Sequence, residues 1–297
     1  MITVFTPTYN RAYIIKNLYA SLLHQTNKNF EWIIVDDGST DNTKEVIQSF
    51  IDERKIDIEY YYEKNGGKHA AINLGSQKAK GELFFNVDSD DYLTNDAIEV
   101  IEYYYSMIKN DERYFGIWGL RVYPDGRTIG GKVWYDELHC SMFDFRYKYK
   151  IKGDKADIYK TKIVQEFPYP IIAGENHVSE IITLNKMAAK YPLILFFAKP
   201  IYVCKYLPDG NTAHMLLNRR KSSNLTMMLY AEQSKYDLPL WVKFKSVINY
   251  WRFSFSNKNK FALKLSQVSL FYSLFALPIS AIMYLLDSAK LKILGQK

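Results

Sequence analysis

Four times in about the first 110 residues, a short run rich in β-branched and aromatic residues gives way to a helical pattern. ITVFTP at 2–7 ends at Pro7, and YIIKNLYASLLHQ follows with Ile14, Leu18 and Leu22 on one helical face and Ile15, Tyr19 and Leu23 beside them. EWIIVDD at 31–37 runs through Gly38 and a capping residue, Ser39 or Thr40, into TKEVIQSFI. IEYYYE at 58–63 leads to NGGKHAAINLGSQKA, and ELFFNV at 82–87 leads to TNDAIEVIEYYYSMI. Such alternation predicts an α/β fold with a doubly wound, mostly parallel sheet, whose ligands bind beyond the carboxyl ends of its strands.

The strand ends are where the polar residues gather. Tyr9 and Asn10 follow the first strand, Asp36 and Asp37 the second, Asn65 to Lys68 the third, and Asp88, Asp90 and Asp91 the fourth. Three carboxylates within four positions repel one another, and burying them costs several kcal/mol without a positive partner. Any one of these loops is ordinary turn chemistry. Acid groups at two separate strand ends, the second and the fourth, are more than turn chemistry requires.

TPTYNR at 6–11, VDDGSTDNT at 35–43, NGGKHAAINLG at 65–75 and DSDD at 88–91 stand in the order and spacing of the inverting family 2 glycosyltransferases with the GT-A fold, which the chain resembles over residues 1–125 and more weakly to about 225. The resemblance implies transfer of a sugar from a nucleotide-diphosphate donor, with a Mn or Mg ion neutralising the leaving diphosphate. It assigns Asp90 to the metal and Asp88 to the ribose with a metal contact, while Asp91 is expected to cap the next helix. Pro7 and Tyr9 would pack on the base and Asp37 would accept a pyrimidine imide proton, which favours a UDP-sugar; Asp36 is expected to bond backbone groups in its turn. Lys68 is a candidate for base or phosphate contact. In the segment YLPDGNTAH, which resembles a stretch that folds back near the diphosphate, His214 is a candidate for the metal shell.

An inverting displacement also needs a carboxylate to take the acceptor hydroxyl's proton. AGENHVSEIITLNKMAAKY at 173–191 holds the candidates, Glu180 and Glu175. Five residues apart, they cannot share a helical face. The alignment with the family places Glu180 at the base position; Glu175, which follows Gly174, is the alternative. Residues 116–160, read as strands around a Pro-Asp-Gly turn and an aromatic-rich run, suit an antiparallel extension lining the acceptor site.

The net charge of +7 invites a nucleic-acid reading, but nine basic residues against Asp287 alone between 243 and 297 place nearly all of it in the tail. Residues 265–286 carry no charge, Pro278 interrupts them, and Ser266, Ser273 and Ser280 recur every seven residues. Such a stripe suggests a helix lying on protein or at an anionic membrane surface. The expected organisation is a catalytic domain at 1–225, split into a nucleotide half at 1–115 and an acceptor half at 116–225, and a basic helical tail at 226–297. With no leader segment before MITVFTPTYN and only Cys140 and Cys204 as cysteines, a cytoplasmic protein, peripheral on the inner membrane face, is expected. Its partners would be the sugar donor and a glycan or lipid-linked acceptor. Against a sugar nucleotidyltransferase stands the lack of a Gly-rich basic loop after the first strand. A phospho-acceptor module has no use for the second acid cluster, and a non-catalytic sugar-nucleotide-binding protein is the remaining rival.

Overall fold

A computed structural model of the chain describes residues 1–204 and 214–295. The chain forms two compact units, Met1–Pro168 with Met187–Tyr206, and Tyr169–Lys186 with Leu207–Lys297.

The first unit is built on a sheet. Its opening strands β1 (Ile2–Thr8), β2 (Phe30–Asp36), β3 (Ile58–Tyr62) and β4 (Leu83–Asn86) are parallel and lie in the order β3-β2-β1-β4. Helices α1 (Lys16–Leu23), α2 (Thr43–Glu53) and α3 (Lys68–Lys78) make the crossovers. Every residue of β1 and β2 is buried, as expected of strands covered on both faces. Two of their polar residues tie the sheet together: Trp32 Nε1–H donates to Thr6 Oγ1 at 2.9 Å, and buried Glu31 accepts through Oε1 from Thr3 Oγ1 and from the N–H groups of Lys80 and Gly81, which fixes the turn into β4.

After β5 (Tyr92–Leu93) and α4 (Ala97–Ile108) come β6 (Tyr114–Val122), β7 (Glu137–Cys140), a π-helical turn at Asp144–Lys148, β8 (Lys155–Lys160), α5 (Thr161–Glu166), α6 (Ile181–Lys190) and β9 (Leu193–Val203). The sheet continues β4-β8-β6-β9-β5, with β7 also on β9. β8 is antiparallel to both β4 and β6, so the antiparallel element sits within the sheet between two halves. β6 and β9 are parallel, with Arg121 opposite Tyr202. One core runs from Ile2, Trp32 and Ile34 through Phe85 and Ile117 to Leu195, Phe197 and Tyr202.

The second unit is helical. It contains α7 (Met215–Lys221), α8 (Ser223–Gln233), α9 (Leu240–Ser254), α10 (Phe261–Leu265) and α11 (Leu270–Ile293). Ile182, Met227, Tyr230, Val247, Trp251, Phe253 and Ala276 form its core. Residues 169–186 fall with the tail helices in this division, and Ile182 joins their core.

Candidate active site

The four strand-end loops of the first unit are tied together in sequence by hydrogen bonds. Asn10, in a left-handed conformation at φ 52°, donates its N–H to Ser39 Oγ at 2.8 Å, and its Oδ1 accepts from Thr40 N–H at 2.8 Å. Ser39 and Thr40 are thus engaged with the first loop rather than capping α2; Asp41 Oδ1 accepts from Thr43 N–H and Oγ1 at the helix start. Gly38, at φ 82°, lets the second loop approach the third, because a Cβ there would lie 2.8 Å from the Asn65 nitrogen. Asp37 then accepts from Gly66 N–H at 2.7 Å and Gly67 N–H at 3.0 Å. Finally Lys68 Nζ stands 2.7 Å from Asp88 Oδ1, joining the third loop to the fourth.

The carboxyl groups differ in character. Asp36 accepts from Ser39 N–H at 2.7 Å and Tyr60 O–H at 2.8 Å, a turn-holding role. Burial pushes the Asp37 carboxyl up, opposed by the Gly66 and Gly67 N–H groups. Burial also works against ionised Asp88, but the Lys68 and Arg121 charges outweigh it and hold its carboxyl below the usual range. Asp90 is raised by burial and then by the charge of Asp88. Asp91, buried and close to Asp88, is pushed up to about 7. Its role differs from the expected helix cap. Asp91 Oδ2 accepts from Tyr202 O–H at 2.7 Å, and α4 begins at Ala97, past its reach as a cap.

Tyr202 went unnoticed in the sequence. Its hydroxyl also accepts the Asp88 N–H at 3.0 Å, so one phenol on β9 holds both ends of the acid loop. Arg121 lies over its ring at 4.2 Å. No local signal marks a tyrosine 111 residues from Asp91 in an apolar strand; the pairing of β9 with β5, which sets Tyr202 opposite Leu93, and with β6 delivers it.

Pro7 is buried within β1 opposite Val35, whereas Tyr9 is exposed at the strand's end. Glu175, Glu180 and His214 belong to the second unit. Glu175 is buried, and its carboxylate accepts from Asn224 N–H, Asn224 Nδ2 and Leu225 N–H, all at 2.8 Å, at the N-terminus of α8. Glu180 immediately precedes α6 and is half-buried. His214 is exposed at the start of α7, and the rest of YLPDGNTAH lies outside the described residues.

Among the described residues no three His, Cys, Asp or Glu side chains gather so as to hold a metal ion by themselves. Asp88 and Asp90 nevertheless fit a hard cation of the Mg or Mn type. They are oxygen donors, and the charge of Asp88 disfavours ionised Asp90, a conflict that a cation relieves. Such ions take one or two carboxylates, the rest of the shell coming from substrate phosphates and water.

With this geometry in view, comparison with known proteins is informative. Residues 3–145 match the model of glycosyl transferase family 2. Over 101 residues, a third of the chain, the sequence is 38% identical to TuaG of Bacillus subtilis, a putative teichuronic acid biosynthesis glycosyltransferase, and spans 39% of that protein. Across eight bacterial relatives, TuaG included, the chain spans no more than 40% of the length of each. Among solved structures, S. aureus TarS 1-349 in complex with UDP-GlcNAc superposes with a TM-score of 0.65 at 20% identity, over 94% of this chain and 80% of that one. Mannosyltransferase PcManGT from Pyrobaculum calidifontis, in complex with GDP-Man and Mn2+, gives 0.57 at 15% identity, over 100% and 88%. The two share the fold of this chain, a mixed α/β sheet of GT-A type.

Proposed function

From the match of residues 3–145 to glycosyltransferase family 2, we propose an inverting, metal-assisted transfer of a sugar from a UDP-sugar to a hydroxyl of a glycan or lipid-linked acceptor in surface polysaccharide synthesis. The observation that carries this reading is the unbroken tie from Asn10 through Asp37 and Lys68 to Asp88, which forms one polar edge from four loops. The UDP-GlcNAc complex of TarS and the name of TuaG support the donor and the process; the GDP-Man complex of PcManGT keeps a guanine donor as the second reading.

In this proposal the base lies between the first two loops, against Pro7 and Tyr9, with Asp37 accepting the imide N–H of uracil. Both Asp37 oxygens already receive backbone N–H groups, which fixes the carboxylate and leaves lone pairs for one more donor. Asp88 faces the ribose, and Asp90 with Asp88 would hold the cation. When bound, the cation neutralises charge on the departing diphosphate. Lys68 exchanges its partner Asp88 for a phosphate oxygen as the donor enters, with little movement of its short Gly-Gly loop. The acceptor oxygen attacks the anomeric carbon, the bond to the diphosphate oxygen breaks, and a carboxylate takes the acceptor's proton. Glu180 suits that last role better than Glu175, whose lone pairs serve the α8 N-terminus. His214 is retained as a candidate phosphate or metal contact.

The reading is tested by thermal shift of the full chain with UDP, UDP-GlcNAc and GDP-mannose, each with and without Mn. UDP compounds are expected to stabilise it in a Mn-dependent manner, and Asp90→Asn to lose the Mn dependence while keeping the melting temperature of the unliganded protein. Mn-dependent UDP binding that survives unchanged in Asp90→Asn removes Asp90 from the metal, and stabilisation by GDP-mannose alone overturns the uracil assignment.

A further inference from the structure

α11 presents two opposed faces of different chemistry. Ser273, Ala276, Ser280, Asp287 and Leu291 are buried, and at 100° per residue they fall within an arc of about 60°. Leu270, Phe271, Leu274, Ile282, Leu285 and Leu286 are each at least 60% exposed and occupy the opposite side, within about 160°.

The buried face is stitched to its own unit by polar contacts. Ser273 Oγ accepts from Trp251 Nε1–H at 2.9 Å, and Ser280 Oγ lies 2.7 Å from the Ile248 carbonyl. Arg252 donates to both oxygens of Asp287 at 2.6 and 2.7 Å. Arg220 donates to the Tyr284 carbonyl at 2.7 Å and to Ser288 Oγ at 3.0 Å. α11 is the one helix among the described residues long and apolar enough to cross a membrane. Crossing would strip the Arg252–Asp287 pair from its setting or carry it into hydrocarbon. The exposed arc, by contrast, is free to meet lipid without breaking any of these contacts.

Charge selects the occupant. Between residues 243 and 295 every exposed charged side chain is a lysine: Lys245, Lys258, Lys260, Lys290 and Lys292. The single acid, Asp287, is buried and paired. A second copy of this unit would bury the apolar face but bring lysines against lysines, whereas an anionic bilayer accommodates both features.

We propose that α11 lies in the plane of an anionic membrane surface, its Leu270–Leu286 face among the upper acyl chains and its serine and Asp287 face on α9. This seat does not depend on the transferase reading.

Flotation of the full chain with vesicles of phosphatidylcholine, alone or with about a third phosphatidylglycerol, tests it. The protein is expected to float with the anionic vesicles in low salt, to float less in high salt, and to lose roughly tenfold in Leu274→Glu/Leu285→Glu. Both exchanges are at exposed positions, so an unchanged circular dichroism melt is expected for the double variant. Alkaline carbonate should release the protein from membranes of cells producing it. Failure to float with anionic vesicles even in low salt, undiminished flotation of the double variant, or a lipid-free dimer that the two exchanges dissociate would overturn the proposal. Retention after carbonate would overturn the in-plane seat in favour of a spanning helix.

Discussion

Tyr202 carries no charge, yet its hydroxyl joins the Asp88 backbone to the Asp91 carboxylate. Tyr202→Phe leaves a buried carboxyl without its donor, a loss of about 1–3 kcal/mol. Urea unfolding should show it, together with weaker but still Mn-dependent UDP binding; an unchanged midpoint and affinity would mean the hydroxyl is incidental. His69 is a second residue that sequence inspection passed over. Both its ring nitrogens are buried without a hydrogen-bond partner among the described residues, and burial holds it below its ordinary 6.5. The unfolded chain therefore takes up the proton first as pH falls. This contribution to stability is full above about pH 6.5 and is lost as pH drops from there toward the folded value. Comparing urea midpoints at pH 7.5 and 5.5 for the parent and His69→Leu checks it, since the variant should lose less on acidification. What the sequence does reveal at this scale is the acids and the lysine, because they recur at strand ends. Tyr202, the partner of Asp91, and Asn224, the partner of Glu175, arrive from distant segments and carry no pattern of their own.

At the scale of elements, Glu175 and Glu180 separate by what they hold. Glu175 receives three hydrogen bonds at the start of α8, where the helix presents unsatisfied N–H groups and the positive end of its dipole. Glu175→Gln must turn an amide NH2 toward the N–H of Leu225 or toward Asn224, and should destabilise the protein by about 1–3 kcal/mol. Glu180→Gln should leave the melt unchanged and slow sugar transfer by about 10² or more at unaltered donor affinity. Transfer lost in Glu175→Gln with its stability intact would reverse the two assignments. The four strand–helix units were legible because the buried strands β1, β2 and β4 read as apolar runs and the edge strand β3 as a β-branched and aromatic one. The antiparallel insertion of β8 between β4 and β6 was not, since pairing partners across a sheet are set by packing rather than by local pattern. The seven-residue serine repeat did report a polar stripe, and the contacts of Ser273 and Ser280 with α9 give its physical reason.

For the whole molecule, the stretch that carries the recognisable motifs differs from the stretch that holds them in place. Residues 3–145 match the family, but β8, at Lys155–Lys160, separates β4 from β6, and β9, at Leu193–Val203, carries the tyrosine that fastens the acid loop. On a translating ribosome the first four strands and all four strand-end loops emerge well before either clamp exists. The nascent chain thus exposes the free edge of β4 until β8, about ten to fifteen residues past the matched region, has left the exit tunnel, and the acid loop lacks Tyr202 until some sixty residues past it have done so. The acid loop gains its full support only as the sheet closes, so in the proposed reading competence for donor and cation is conferred late in the life of each new molecule.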